Sequence, residues 1–268
     1  MVDTIKVWFT GTPHVDFPAR KQGTLRYGIR FWHDGEGNCT AEAELPKLLY
    51  GHNGHLLTSQ ADIEASVTRL REVLFQVVKF ESWTLKVVDL VWQFQTRPAD
   101  VILAYQWIRF PGVRNDPSLH GCKEIHWTGA RSRWELKFYD KGKGVLRVEL
   151  RLAGAQLRKR IDDDAPLTFA ELYQVFLADV RKLPTVQLPE ARKHSLAEIV
   201  AGMPPEFQNQ AVLAYQTNHT ARAVSGFKRD VSVARVKRIG WNLGELLPAD
   251  NPPPPVHCEP RSRRKFRP

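Results

Sequence analysis

Cysteine is scarce in this chain of 268 residues. Cys39, Cys122 and Cys258 stand far apart and no CxxC pair occurs. That spacing excludes a disulfide framework and leaves no structural zinc motif, and three unpaired thiols fit a reducing compartment. No apolar run reaches the ~18 residues of a membrane span. The opening Met1-Val2-Asp3-Thr4-Ile5-Lys6 lacks the apolar core of a secretory leader. The expectation is a soluble, intracellular protein with no membrane partner.

Positive charge is in excess. Lys and Arg number 39 against 29 Asp and Glu, a formal net charge of +10. Such an imbalance predicts a polyanionic partner, nucleic acid before anionic lipid; the competing reading is a basic protein with no such partner. With 43% hydrophobic residues the chain can bury a core. Its length suits one large domain or a domain with a smaller companion.

Residues 3–9, 24–33 and 38–45 alternate as strands, with Tyr27, Ile29 and Phe31 on one face of the second. A Gly- and His-rich loop, 46–55, follows. Ser59 then caps a helix with an apolar stripe at Ile63, Val67, Leu70, Leu74 and Val77. Residues 83–94 form a β-prone run interrupted by Asp89, and Pro98 opens a helix through about Phe110. Residues 122–128 and the two strands of a hairpin over 134–151 complete the order β-β-β-α-β-α-β-β-β. This predicts an α+β fold over 1–153: an antiparallel sheet with helices on one face and the other face open. Helices are expected at 168–181, 195–201, 205–217 and 228–240, making 154–248 a small helical region. Its basic last member carries Lys228, Arg229, Arg235, Lys237 and Arg238 and suits DNA docking; a solvated helix face is the competing reading. Residues 249–268, with Pro252 to Pro255 and a run of arginines, read as a disordered basic tail.

The hairpin 134–151 carries the chemistry. Period-two alternation places Leu136, Phe138, Leu146, Val148 and Leu150 on one face. Glu135, Lys137, Tyr139, Lys141, Arg147, Glu149 and Arg151 share the other. If Gly142, Lys143 and Gly144 make the turn, Tyr139 faces Arg147 and Lys137 faces Glu149. Tyr139 and Glu149 then become diagonal neighbours, roughly 7–8 Å apart at the backbone. A phenol titrates near ~10, so attack on phosphorus by Tyr139 needs cations or a metal nearby; the competing reading is a strand tyrosine that only stacks. Glu149 is a metal candidate, or else a salt-bridge partner of Lys137 or Arg151. Asp89 is the second candidate, or else a buried carboxylate bonded to backbone or arginine. Oxygen ligands with few imidazoles suit Mg²⁺ or Mn²⁺. His52 and Asn53, flanked by Gly51 and Gly54, sit where the backbone can approach a partner closely. Trp83, Trp92, Trp107, Trp127 and Trp134 are available to stack bases.

Three stretches together resemble the replication initiators of filamentous phages, the gene II/gene X family: Lys47-Leu48-Leu49-Tyr50-Gly51-His52-Asn53 with Thr58 and Asp62, Val88-Asp89-Leu90, and Trp127 through Leu150. The resemblance covers about residues 47–152. It implies a rolling-circle Rep-like nickase that cuts one origin strand, holds the 5′ phosphate on a tyrosine and later rejoins the displaced strand. Tyr139 is then the nucleophile, Lys141 a phosphate-stabilising cation, and Asp89, Glu149 and His52 the Mg²⁺ or Mn²⁺ shell. Asn53, Lys137, Arg147 and Arg151, with the basic residues of 228–238, are expected to meet DNA. The implied partners are origin DNA, single-stranded or locally melted, and host helicase and polymerase in the bacterial cytoplasm. The chain lacks the His-hydrophobic-His metal motif of the best-known rolling-circle enzymes. A non-catalytic, basic single-stranded nucleic-acid-binding module is the alternative.

Overall fold

Alternating burial defines the strands of the computed structural model, which describes residues 1–14, 22–106, 108, 110, 113–115, 124–161, 167–189, 238–241 and 243. The strands are β1 (Val2–Thr10), β2 (Gln22–Thr24), β3 (Arg30–His33), β4 (Asn38–Glu44), β5 (Thr84–Gln95), β6 (Arg114–Asn115), β7 (Glu124–Thr128), β8 (Trp134–Gly142) and β9 (Val145–Ala153). They form one antiparallel sheet in the order β2-β3-β4-β1-β5-β9-β8-β7-β6. Ile5, Phe9, Phe31, Val88, Trp92, Phe138, Val148 and Leu150 line its apolar face, each at most 1% exposed. The α+β class is therefore as expected.

The helices are α1 (Leu45–Tyr50), α2 (Gln60–Phe75), α3 (Pro98–Tyr105), α4 (Gly154–Arg158) and α5 (Phe169–Val180). Ser59 caps α2 as anticipated: its hydroxyl accepts from the Asp62 N–H at 3.1 Å, and Asp62 reaches back to the Ser59 N–H. Ile63, Leu70, Val73 and Leu74 carry α2 into the core. Tyr105 of α3 meets Phe138 edge-on at 5.4 Å, and Tyr173 of α5 lies 5.9 Å from Trp92. Both helices therefore cover the apolar face. No helix among the described residues is long and apolar enough to cross a membrane.

Several expectations change. The strand predicted over 24–33 is a hairpin, β2 and β3, broken where Tyr27 and Gly28 take left-handed φ values of 61° and 75°. Part of the loop predicted over 46–55 is α1, which stops at Gly51 with φ 76° and an N–H bond back to Lys47. The helix opened by Pro98 ends at Tyr105, short of Phe110. The core also continues past the boundary drawn at 153: Leu157, Leu172, Phe176, Val180 and Val186 join it. Asp179, 2% exposed, fixes α5 by accepting from the Trp134 indole at 3.1 Å and pairing with Arg160 and Lys182. The helix predicted over 168–181 is α5. Residues 238–240, the end of the helix predicted over 228–240, are instead strand, part of β11 (Arg238–Trp241), which pairs antiparallel with β10 (Val186–Pro189). The helices expected at 195–201 and 205–217, residues 228–237 and the tail lie outside the described residues.

Candidate functional site

The β8–β9 hairpin closes as its glycines dictate. Gly142, Lys143 and Gly144 have φ of 95°, 55° and 75°, the left-handed conformations a tight hairpin turn demands. Register follows: Tyr139 pairs with Arg147 and Lys137 with Glu149. The Tyr139 hydroxyl donates to Glu149 Oε2 at 3.4 Å, and the Arg147 guanidinium lies 5.9 Å from the tyrosine ring centroid. Burial pushes the Tyr139 phenol well above its ordinary range, against the pull of Arg147. Glu149 and Asp3 add to the upward push. Tyr139 in its resting state is thus a protonated phenol with a carboxylate acceptor, not a preformed phenolate. Lys141 falls differently. It is the extra residue of a bulge between Asp140 and Gly142, so its place on the Tyr139 face no longer follows from period two.

Beside the hairpin, carboxylates and cations meet in close pairs. Arg151 grips Asp89 with two bonds, Nε to Oδ1 at 2.7 Å and Nη2 to Oδ2 at 2.6 Å. Burial still dominates Asp89 and raises its pKa to about 6, against the bonding and charge of Arg151. Asp3 is the extra residue of a bulge in β1, between Val2 and Thr4. It meets Arg147 Nη2 at 2.5 Å, an ion pair rather than an aligned hydrogen bond. Arg147 was expected to face DNA; it is 1% exposed and lies within the network. Its Nε and Nη1 make no hydrogen bond among the described residues. Lys137 lies 3.6 Å from both Glu149 and Glu135.

The expected Mg²⁺ or Mn²⁺ shell does not fit this arrangement. Both Asp89 oxygens are held by Arg151, and no three His, Cys, Asp or Glu side chains among the described residues form a group able to hold a metal. The alternative reading of Asp89, a buried carboxylate bonded to arginine, is what the fold adopts. His52 stays within its own loop: Nδ1 accepts from the Gly54 N–H at 3.1 Å, and its ring meets that of His55 edge-on at 4.9 Å. Asn53 donates to Glu44 Oε2 at 3.0 Å. Register then links this loop to the polar face, because Glu44, Thr4, Asp89, Arg151 and Glu135 lie opposite one another in a single row across five strands.

Sequence reasoning missed β7's contribution. Glu124 pairs directly with Tyr139, and His126 with Lys137. His126 stands 3.3 Å from Glu135 and 3.5 Å from Glu124. Its hydrogen bond to Glu135 leads the causes that raise its pKa. Period two within β7 puts Glu124 and His126 on one face, but nothing local says which strand they join. The tryptophans divide. Trp92 and Trp127 are core at 1% and 0% exposure, Trp134 is tied to Asp179, Trp83 stacks under Arg71 at 4.7 Å, and Trp107 lies outside the described residues. A cavity of about 450 Å³ lined by Arg131, Arg133, Trp134 and Gln156 opens at the far end of β8 from Tyr139. Of the expected basic DNA-docking residues, Lys228, Arg229, Arg235 and Lys237 lie outside the described residues, and Arg238 starts β11.

No protein-family model matches the chain. No curated protein sequence matches it either. Among solved structures the chain is similar to Methanococcus jannaschii TBP, at 11% identity and a TM-score of 0.30, over 59% of this chain and 90% of that one. A superposition that loose carries no argument about fold or function.

Proposed function

We propose that this chain is a rolling-circle replication initiator, a DNA nickase and strand transferase that works through a covalent 5′-phosphotyrosine at Tyr139. The observation that carries the reading is the contact between the Tyr139 hydroxyl and Glu149 Oε2, 3.4 Å apart, with Arg147 and Lys137 beside them. In the nicking step the phenol oxygen attacks phosphorus as its proton passes to Glu149. The new Oη–P bond forms as the P–O3′ bond breaks. The departing 3′ oxygen takes a proton from solvent water and leaves as a hydroxyl for a polymerase. Rejoining is the reverse, with the 3′ hydroxyl of the displaced strand as nucleophile. Lys137 supplies a cation for the pentavalent charge, and the buried Arg147 adds positive potential from beside the tyrosine ring. No step is routed through Mg²⁺ or Mn²⁺, since the carboxylates as arranged do not form a shell for either.

On this reading the partners are origin DNA, single-stranded or locally melted, and a host helicase and polymerase in the bacterial cytoplasm. The alternative, a non-catalytic module that binds single-stranded nucleic acid, draws on two observations: Asp89 is fully taken up by Arg151, and the Tyr139 phenol is held protonated. One experiment separates them. The protein is incubated with end-labelled phage or plasmid origin DNA under Mg²⁺, Mn²⁺ or EDTA and then denatured. The nickase reading expects a labelled protein band that Tyr139→Phe abolishes. A band that persists in Tyr139→Phe overturns the assignment of Tyr139, and DNA binding without a band on any origin favours the module.

A further inference from the structure

We propose that the polar sheet face around Trp8 and Trp32 is a stacking platform for single-stranded DNA. It is distinct from the Tyr139 network, and its choice of DNA rests on the nickase reading. Trp8 and Trp32 sit half-exposed while their strand neighbours Val7, Phe9 and Phe31 are buried. Both indoles therefore project from the face opposite the core. Register places them in one row: Trp32 opposite Thr40, Thr40 opposite Trp8, and Trp8 opposite Thr84. At about 4.8 Å per strand the two indoles stand roughly 10 Å apart, with only the short Thr40 side chain between. Two aromatic rings that keep part of their surface open, set across a threonine, offer a place for a flat ligand to stack.

Charge selects the ligand. The adjoining row runs Arg30, Glu42, Lys6, so that one carboxylate lies between two cations. Glu42 pairs with Arg30, and Lys6 forms no ion pair among the described residues. Lys86, the extra residue of a bulge in β5, places its ammonium 5.2 Å from the Trp8 ring centroid. The patch is thus aromatic and net positive, the combination that tracks a phosphate backbone while stacking its bases. Bases reach such rings only when unstacked from a partner strand, as single-stranded nucleic acids do on open sheets. Duplex DNA offers no base face to a flat surface.

The test is fluorescence anisotropy of a labelled oligo(dT) of about 12 nucleotides, within the span such surfaces cover, titrated with the full chain at fixed salt. Trp8→Ala and Trp32→Ala are each expected to weaken binding about ten- to a hundredfold, the loss of one stacked base. Trp8→Phe and Trp32→Phe should retain most of the affinity, which guards against misfolding as the cause. Alanine variants that bind within twofold of wild type overturn the platform, as does equal or tighter binding of duplex DNA or oligo(U). The two readings fail separately. A Tyr139 adduct with unchanged alanine variants sinks the platform alone, and a Trp-dependent oligo(dT) complex with no adduct on any origin sinks the nickase alone.

Discussion

Replacing Arg151 with methionine should expose the energetic problem that Asp89 poses. The carboxylate is 2% exposed, and both of its oxygens bond to Arg151, whose own side chain is about a third exposed. Even with that partner, burial raises the Asp89 pKa from 3.8 to about 6. Between those pH values the folded chain holds a proton that the unfolded chain has released. Stability therefore falls as pH rises through the window, by about 3 kcal/mol at 1.36 kcal/mol per unit. Arg151→Met removes two charge-assisted bonds and leaves the charge buried alone. Breaking a buried pair costs ~3–5 kcal/mol; the partial exposure of Arg151 favours the lower end, about 3 kcal/mol at pH 8. The Asp89 pKa should climb further, so the gap between wild type and variant should shrink as pH falls toward 4.5, where both carboxyls carry protons. Asp89→Leu combined with Arg151→Met should recover most of the loss, because apolar replacement of both partners is nearly neutral. Urea unfolding of the three proteins at pH 4.5, 6 and 8 measures this. A loss below about 1 kcal/mol at pH 8, an equal loss at pH 4.5, or a double variant no better than the single would refute the reasoning.

Two further outcomes test the hairpin. Glu149→Gln keeps the shape of the side chain but removes the proton acceptor beside Tyr139; the rate of adduct formation should fall roughly 10²- to 10⁴-fold with oligo(dT) affinity unchanged, and a rate within threefold of wild type would remove Glu149 as base. Gly144→Ala forces a Cβ into a φ of +75°, 2.9 Å from Gln95 Nε2 and 3.2 Å from the Thr96 carbonyl. It should lower unfolding stability by about 1–2 kcal/mol; an unchanged urea midpoint would mean the turn relaxes without cost.

Legibility in the sequence followed the range of each interaction. Two glycines around Lys143 set the hairpin register, so the pairing of Tyr139 with Arg147 was open to reading from local chemistry alone. Ser59 with Asp62 was equally local. The break between β2 and β3 was not, because Tyr27 adopts a left-handed φ that no glycine or asparagine at that position announces. The bulges at Asp3, Lys86 and Lys141 escaped for the same reason: each is a one-residue slip against a partner strand, invisible within its own strand. The Asp89–Arg151 and Glu124–Tyr139 pairings depend on which strands become neighbours, a property of the whole sheet. Trp8 and Trp32 are separated by 24 positions in sequence, and only the sheet order with β4 between β1 and β3 makes them a pair.

The burial of that face divides its labour. Around Tyr139 carboxylates outnumber cations: Asp3, Asp89, Glu149, Glu135 and Glu124 stand against Arg147, Arg151 and Lys137, with His126 between two of the glutamates. Such a cluster has no positive long-range field with which to draw in a polyanion. It gains strength only at short range, where low dielectric amplifies each contact. The region of Trp8, Trp32, Lys6 and Lys86 has the opposite character: it is half-exposed, aromatic and net positive. In the proposed nicking reaction, capture and chemistry then fall to different parts of one sheet. The phenol need not ionise in advance, since moving its proton to Glu149 as the Oη–P bond forms transfers negative charge within the cluster without adding to it. The cost of burying Tyr139 is met at the step where Lys137 gains a phosphoryl group to bind, so attack and proton transfer belong to a single event.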